Sequence, residues 1–345
     1  MKKLLAVVMS VVIAAAVMCP VLTASAAGDT DYTIVNPYET VDWDSWQYYK
    51  ANLHTHSVAS DGDETITDMV GLYYDAGYDI LALTDHGVVS HGWNLPRKTN
   101  GVFNYFRKAD PMSDEDYQRI TTGSDRGGRG MTDITGGIEI NMAVFSKTHV
   151  NGYFTEYGQG EWGIENDYRT APAKVEEMGG YSVLNHVGDW VNSNRYPERS
   201  HWDVFITYFA NIFKDYHTCL GMEIKNNTDN VTRADRALWD ELLQVVIPTG
   251  RNIWAFADDD SEYRNEVGRS FEYFVLPENT EETVKTGMIN GTFFACSRYE
   301  KHIQAGVDDF EGNGNVPLVK NIIVDQQANT IELVLDESRD CSLIE

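Results

Sequence analysis

The sequence predicts an α/β fold in which strands and helices alternate to build a parallel sheet or barrel. Apolar runs of strand length alternate with amphipathic helical patterns over residues 48–305. Histidines and acids stand at the ends of those runs: His86, Glu139, His186 and Asp260 fall late in or just after an apolar stretch. Folds of this class gather their sites at the carboxyl ends of strands.

The elements follow in order. In NLHTHSVASDG (52–62), His54 and His56 are two residues apart and would share one face of a strand. Residues 63–77 read as a helix. Ile66, Met69, Val70 and Tyr73 repeat at helical spacing, Asp63 or Thr65 can cap the start, and Gly77 can close it. DILALTDHG (79–87) suits a buried strand ending in polar residues. GGIEI (136–140) and THVNGYF (148–154) are short strands. APAKVEEMGG (171–180) is a helix leading into the strand YSVLNHVGDW (181–190). CLGMEIKNN (219–227) is a strand, TRADRALWDELLQVV (232–246) a helix, NIWAFADDDSE (252–262) a strand, and 279–297 a further helix and strand.

Two regions break the alternation. Residues 101–130, glycine-rich near their end, read as a long loop over the mouth of the sheet or barrel. Residues 320–336 read as a β-hairpin turning around Gln327 to Asn329. The expected organisation is a leader at 1–26, a lead-in at 27–47, a hydrolase domain at 48–305, and a short C-terminal β extension at 306–345, with the start of a further β module as the alternative there. Lys2, Lys3, the apolar run from Leu4 to about Leu22 and the small Ala24-Ser25-Ala26 form a signal peptide. The chain is therefore expected to be exported, with an uncleaved membrane anchor as the alternative and no other membrane segment.

Lys and Arg number 27 against 53 Asp and Glu, a formal net charge of −26. That field repels nucleic-acid polymers and anionic membranes. A phosphorylated substrate would need a local reversal of sign, which bound metal ions supply. Cys19 leaves with the leader. Cys219, Cys296 and Cys341 form neither a disulfide framework nor a CxxC zinc site, and one bridge stays open.

The candidate metal ligands are His54, His56, Asp61, Asp85, His86, Glu139, His149, His186, Asp258, Asp259, Asp260 and Glu262. Imidazole with carboxylate suits zinc, manganese or iron. The set is too rich for one ion and suits two or three sharing a carboxylate, an arrangement that clamps phosphoryl oxygens and activates water. No phosphate-binding glycine loop, GxSxG elbow or Cys-His pair competes for the chemistry.

The order HTHS…SDG, TDH, GIE, HVxG, NH and a terminal acid run resembles the PHP family, named for polymerase and histidinol phosphatase domains. The resemblance spans residues 48–299. It implies a distorted (β/α)₇ barrel, a di- or trinuclear metal site and hydrolysis of phosphate esters. It assigns His54, His56, Glu139 and Asp260 to a first metal. Glu139 bridges to a second held by His149 and His186, and Asp61 and His86 hold a third. Asp85, His86 and Glu139 are the expected catalytic residues, Asp85 acting from behind by orienting His86 or water.

The last motif departs from the family, because Glu262 stands where a histidine is expected; a register shifted by two would instead pair Asp258 with Asp260. Either way a carboxylate replaces an imidazole, which favours manganese, iron or magnesium at the third site.

Arg97, Arg126, Arg129 and Lys225 are candidates to grip a phosphate. His91 and His201 are candidates to protonate the leaving group, while His217 and His302 match no motif. Trp190 is a stacking or packing residue. The expected partner is a small phosphorylated substrate, with the oligomeric state open. The alternative is a degenerate barrel that binds metal or ligand without turnover.

Overall fold

The computed structural model describes residues 23–25, 34–99, 109–140, 147–160, 167–191, 202–301, 309–312 and 315–336. They divide into two units, one spanning Pro37–Asn313 and one formed by the two ends of the chain.

The larger unit is a mixed α/β structure. Its main strands are β1 (Gln47–Asn52), β2 (Ile80–Leu81), β3 (Thr132–Asp133), β4 (Ile138–Ile140), β5 (Val150–Tyr153), β6 (Tyr181–Leu184), β7 (Cys219–Asn226), β8 (Trp254–Asp258), β9 (Ser270–Leu276) and β10 (Phe293–Ser297). Its α-helices are α1 (Ile66–Asp75), α2 (Asp114–Thr122), α3 (Thr170–Glu177), α4 (Val187–Val191), α5 (Trp202–Asp215), α6 (Asp235–Val246) and α7 (Glu281–Asn290).

The strands form two five-stranded sheets, ordered β10-β9-β1-β2-β3 and β4-β5-β6-β7-β8. Neither is purely parallel, contrary to the expectation from sequence. β1-β2-β3 and β6-β7-β8 run parallel, whereas β9 is antiparallel to β1 and β10, and β5 to β4 and β6. Between β8 and β9 there is no α-helix, only a single 3₁₀ turn at Arg264–Glu266. That link is shorter than a parallel crossover needs, and β9 runs back along β1. Isolated bridges join Thr55 to Ser261 and His86 to Glu139, so the segment after β1 meets the one after β8, and the segment after β2 meets β4.

Two apolar clusters hold this frame. Leu53, Ile80, Ala82, Tyr153, Val183, Phe256 and Phe274 belong to one. Ile138, Leu184, Phe209, Phe213, Met222, Leu238 and Leu242 belong to the other, which seats α5 and α6. Each buried Val, Leu, Ile, Phe or Met side chain contributes about 1.5–3 kcal/mol by leaving water. Trp190 sits with this second cluster, its ring meeting Tyr168, Phe205, Tyr208 and Phe209.

α1 matches the expected helix: Thr65 accepts from the Asp68 amide at its start, and Gly77 follows its end at φ 81°. The stretch read as a loop at 101–130 contains α2. Ser113 caps that helix by accepting from the Asp116 amide, and Gly123 ends it in the left-handed region. Local capping thus builds a helix where overall polarity reads as loop. α5 lies outside every element read from the sequence.

In the smaller unit, strands Val319–Asp325 and Thr330–Leu335 form the expected hairpin, and Thr23–Ser25 pairs with the second strand. Cys219 and Cys296 are free thiols. Cys341, His201 and His302 lie outside the described residues. No helix among the described residues is long and apolar enough to cross a membrane.

Candidate metal centre

β1 ends at Asn52, and the chain continues extended through His54 and His56 beside the segment that follows β8. The His56 amide donates to the Ser261 carbonyl at 3.0 Å, and the Asp260 amide to the His54 carbonyl at 3.1 Å. This interleaving sets the HxH pair against Asp260. The turn carrying Asp61 folds back onto the same segment. A Cβ on Gly62 would lie 2.8 Å from the His56 carbonyl carbon and oxygen, so only glycine allows that approach.

Four ligand atoms converge. His54 Nε2 lies 3.2 Å from His56 Nε2. Glu139 Oε2 is 3.2 Å from the first nitrogen and 3.1 Å from the second. Asp260 Oδ1 is 3.1 Å from each. An ion about 2.0–2.2 Å from each of several N and O ligands places neighbouring ligand atoms about 3–3.5 Å apart, which is the spacing found. The outer nitrogens settle what faces inward. His54 Nδ1 is 2.6 Å from Glu223 Oε1, and His56 Nδ1 is 3.2 Å from Ser60 Oγ. With both Nδ1 atoms donating outward, two lone pairs and two carboxylate oxygens point at one spot, which a cation satisfies.

Glu139 is buried, and its two oxygens serve different partners. Oε2 faces His54, His56 and also His86 Nδ1 at 3.2 Å. Oε1 faces His149 Nδ1 at 3.2 Å and His186 Nε2 at 3.3 Å. His86 Nδ1 is buried without a hydrogen bond although the carboxylate is so near. Two ligands of one ion stand in that relation. Asp61 closes the outer side, 3.4 Å from His56 Nδ1 and 3.4 Å from His86 Nε2. Three groupings could each hold an ion: His54, His56, Glu139 and Asp260; His56, Asp61 and His86; and His86, Glu139 and His149. His86 groups here with Glu139 and His149 as well as with Asp61.

The electrostatics follow. Burial disfavours imidazolium at His54 and His56, but neighbouring carboxylates, with Asp260 foremost at His54 and Asp61 at His56, hold both well above the usual range. Burial likewise opposes the charge on Glu139, yet His86, His54 and His149 hold it well below the usual carboxylate range. His186 is pushed up to about 9, against burial, by Glu139 and Asp260. His149 is lowered, burial outweighing Glu139.

Three residues that the sequence reading passed over build the support. Glu223 holds His54 through Oε1, while its Oε2 accepts from the His186 amide at 2.8 Å and from Asn226 Nδ2 at 3.0 Å. Asn226 Nδ2 also reaches Asp260 Oδ2 at 3.0 Å. Asn185 Nδ2 donates to Glu139 Oε1 at 2.8 Å. An isolated acid inside the apolar strand GMEI was the available signal for Glu223. His186 and Asp260 adopt positive φ, 26° and 47°, so backbone strain falls on two members of the cluster.

The remaining expected residues lie elsewhere. Asp85 accepts from the Ser57 amide at 2.7 Å and from Ser60 Oγ at 3.0 Å, bracing the turn after His56; it has no bond to the His86 ring. Asp258 Oδ1 accepts from the Leu53 amide at 2.6 Å, and burial, then the charge of Glu223, pushes Asp258 up to about 8. It stands behind the cluster, and Asp260 supplies the facing oxygen. Glu262 binds through its backbone to Asp63 and Glu266. Its carboxyl, raised by burial and by Asp61, is in none of the three groupings.

Arg126 and Arg129 donate to Asp79 and Tyr78 at the start of β2, the strand end opposite His86, and Arg129 also to the Tyr48 carbonyl in β1. Lys225 donates to Asp229 and to the Tyr299 carbonyl. Among the four expected phosphate-gripping cations, only Arg97 has its donors uncommitted: all three guanidinium nitrogens are buried without a partner. His91 stands 3.4 Å from Glu156.

No family model matches the chain, and no curated protein matches it. Solved structures do. A two-domain protein containing a predicted PHP-like metal-dependent phosphoesterase from Bacteroides vulgatus is similar at 17% identity and TM-score 0.48, over 74% of this chain and 66% of that one. A putative metal-dependent phosphoesterase from Bifidobacterium adolescentis is similar at 15% identity and TM-score 0.38, over 70% and 96%. The lesion-specific endonuclease EndoQ from Pyrococcus furiosus is similar at 13% identity and TM-score 0.39, over 73% and 58%. The chain thus spans less than two thirds of the first and the third of these proteins.

Proposed function

We propose that the chain is an exported, metal-dependent phosphoesterase of the PHP type that hydrolyses a small phosphorylated substrate. The observation that carries this reading is Glu139, whose two oxygens face two different sets of ligand atoms. Supporting it are the ordered HTHS…SDG, TDH and GIE motifs, the (β/α)₇-type barrel they imply, and the leader-like first 26 residues. His54, His56, Glu139 and Asp260 would hold one ion. Glu139, His149 and His186 would hold a second, and Asp61 and His86 a third. Manganese, iron or zinc fits the mixed imidazole and carboxylate set, with magnesium also fitting the third position. Such ions, when bound, neutralise phosphoryl charge and acidify water.

The chain's own residues have separable tasks. Glu223 keeps the His54 proton on Nδ1, leaving Nε2 free to coordinate. Asp85 fixes the Ser57–Ser60 turn and so the tilt of His56. Substrate approaches where the cluster meets solvent. The Asp61, Asp260 and His86 side chains are 42%, 21% and 14% exposed, while those of His54 and Glu139 are 0% and 1%.

The test is a panel of phosphate mono- and diesters, with amides and lactones as controls, on protein loaded with manganese, iron or zinc. Hydrolysis confined to phosphate esters and lost in Glu139→Ala supports the reading. Full activity in Glu139→Ala, or activity on the controls alone, contradicts it.

A further inference from the structure

The chain segment after His86 carries polar groups that nothing described in the molecule satisfies. Ser90 Oγ, Trp93 Nε1, Thr99 Oγ1 and all three guanidinium nitrogens of Arg97 are buried without a hydrogen-bond partner. These fall within ten residues of one loop, and every one of them can donate. An indole N–H and a guanidinium are donors only. A buried unpaired guanidinium is among the costliest groups a fold can carry. Four side chains of one loop are left so, and all of them suit something that accepts hydrogen bonds and carries negative charge.

The loop's anchoring locates the place. The Ser90 amide donates to the Gly137 carbonyl at 2.9 Å, two residues before Glu139. The Trp93 amide donates to Asp133 Oδ2 at 2.8 Å, and Asp133 Oδ1 has no partner. Asp85 and Asp133 are the acids whose charges act on Arg97; neither forms an ion pair with it, and burial still lowers its affinity for its proton. Asp85 in turn braces the turn beside His56. The guanidinium therefore lies on the side of β2 and β3, near Asp85 and Asp133.

We propose that the Ser90–Thr99 loop forms an oxyanion pocket flanking the metal centre, with Arg97 as its bidentate anchor and the Trp93 indole and the two hydroxyls as further donors. Its ligand is a tetrahedral oxyanion of the phosphate class, carried by the substrate apart from the ester group at the metals. This rests on the phosphoesterase reading only for the identity of the substrate; the pocket itself does not depend on metal. Substrates with a second anionic group would bind best, and Arg97 would select for them.

The experiment uses the full chain after removal of metal by chelator, so that failure of the hydrolase reading leaves it untouched. Inorganic phosphate and sulfate are titrated calorimetrically and by thermal melting, with wild type, Arg97→Met and Arg97→Lys. Wild type should bind phosphate and melt at higher temperature with it. Arg97→Met should bind roughly 10- to 100-fold more weakly. In anion-free buffer Arg97→Met should melt no lower than wild type, because it removes an uncompensated buried charge. Arg97→Lys should recover binding in part, since it restores charge without the fork. Metal content after reloading should be the same in all three. No phosphate binding by wild type, equal binding by Arg97→Met, or a marked loss of stability in Arg97→Met without anion would each overturn the pocket, the last by showing Arg97 to be a structural ion-pair partner.

Discussion

Two regions of the larger unit are dense in charge, and they differ in how that charge is matched. At the start of β2, Asp79 accepts from the Lys50 amide at 3.0 Å, from Arg129 Nε and Nη2 at 2.6 Å each, and from Arg126 Nη2 at 3.4 Å. Every contact joins a donor to an acceptor, and the network is complete. Beyond the far end of the same strand, the Nε2 atoms of His54 and His56 stand 3.1–3.2 Å from Glu139 and Asp260 oxygens, with both Nδ1 atoms turned elsewhere. The first region is a clasp. The second is a set of groups that could hold a metal ion. Density of charge alone marks neither as a site; what distinguishes them is which atoms face each other.

The sharpest way to break this contrast is to disable each region in turn. Asp79→Ala leaves Arg126, Arg129 and the Lys50 amide without their acceptor, and should cost about 1–3 kcal/mol of stability by denaturant unfolding. The protein that remains folded should bind as much metal as wild type. Glu139→Ala should lose metal, and because Glu139 faces the surrounding imidazoles it should also unfold more easily in the chelator-treated state. Equal loss of metal in both variants would erase the distinction.

A smaller effect probes the support of the cluster. Glu223→Gln keeps the shape but removes the charge behind His54, and should weaken metal binding by roughly 10- to 100-fold in competition with a chromogenic chelator. Gly62→Ala pushes a methyl against the His56 backbone. It should cost about 1–3 kcal/mol, measured by thermal melting.

The smallest effect is one of pH, and its sign separates the metal-free from the metal-loaded state. His186 titrates near 9 in the folded chain, above its ordinary value. A raised folded value contributes stability that is fully present below about pH 6.5 and is lost as pH rises toward 9, with a slope of at most about 1.4 kcal/mol per pH unit for one proton. Chelator-treated protein should therefore weaken across that window. Metal-loaded protein should strengthen instead, since ligands must shed protons to bind. Parallel pH profiles for the two states would contradict the account.

Much of the candidate site was legible in the sequence because its ligands follow strand ends in recognisable order. His54 and His56 needed only period-two spacing, and His86, Glu139 and His186 only the ends of apolar runs. What sequence could not supply was facing. It offered Arg97, Arg126, Arg129 and Lys225 as equals, yet three of them meet Asp79 or Asp229, acids whose positions only the fold reveals. It left two registers for the last motif, Asp260 with Glu262 or Asp258 with Asp260, because two residues along an irregular strand end alter which oxygen points inward. The sheets were expected to be parallel, and β9 escaped because no motif marks it. α2 was missed because a polar, glycine-flanked stretch reads as loop until Ser113 is seen to cap it.

The central claim is that Glu139 joins two metal positions, and metal content tests it most directly. Wild-type protein purified without chelator, and the same protein given manganese and then desalted, would be analysed by elemental mass spectrometry beside Glu139→Ala. The account predicts two or more equivalents of manganese, iron or zinc in wild type and loss of more than one equivalent in the variant. Wild type with no metal and no uptake of manganese, or a variant that keeps its full content, would contradict it.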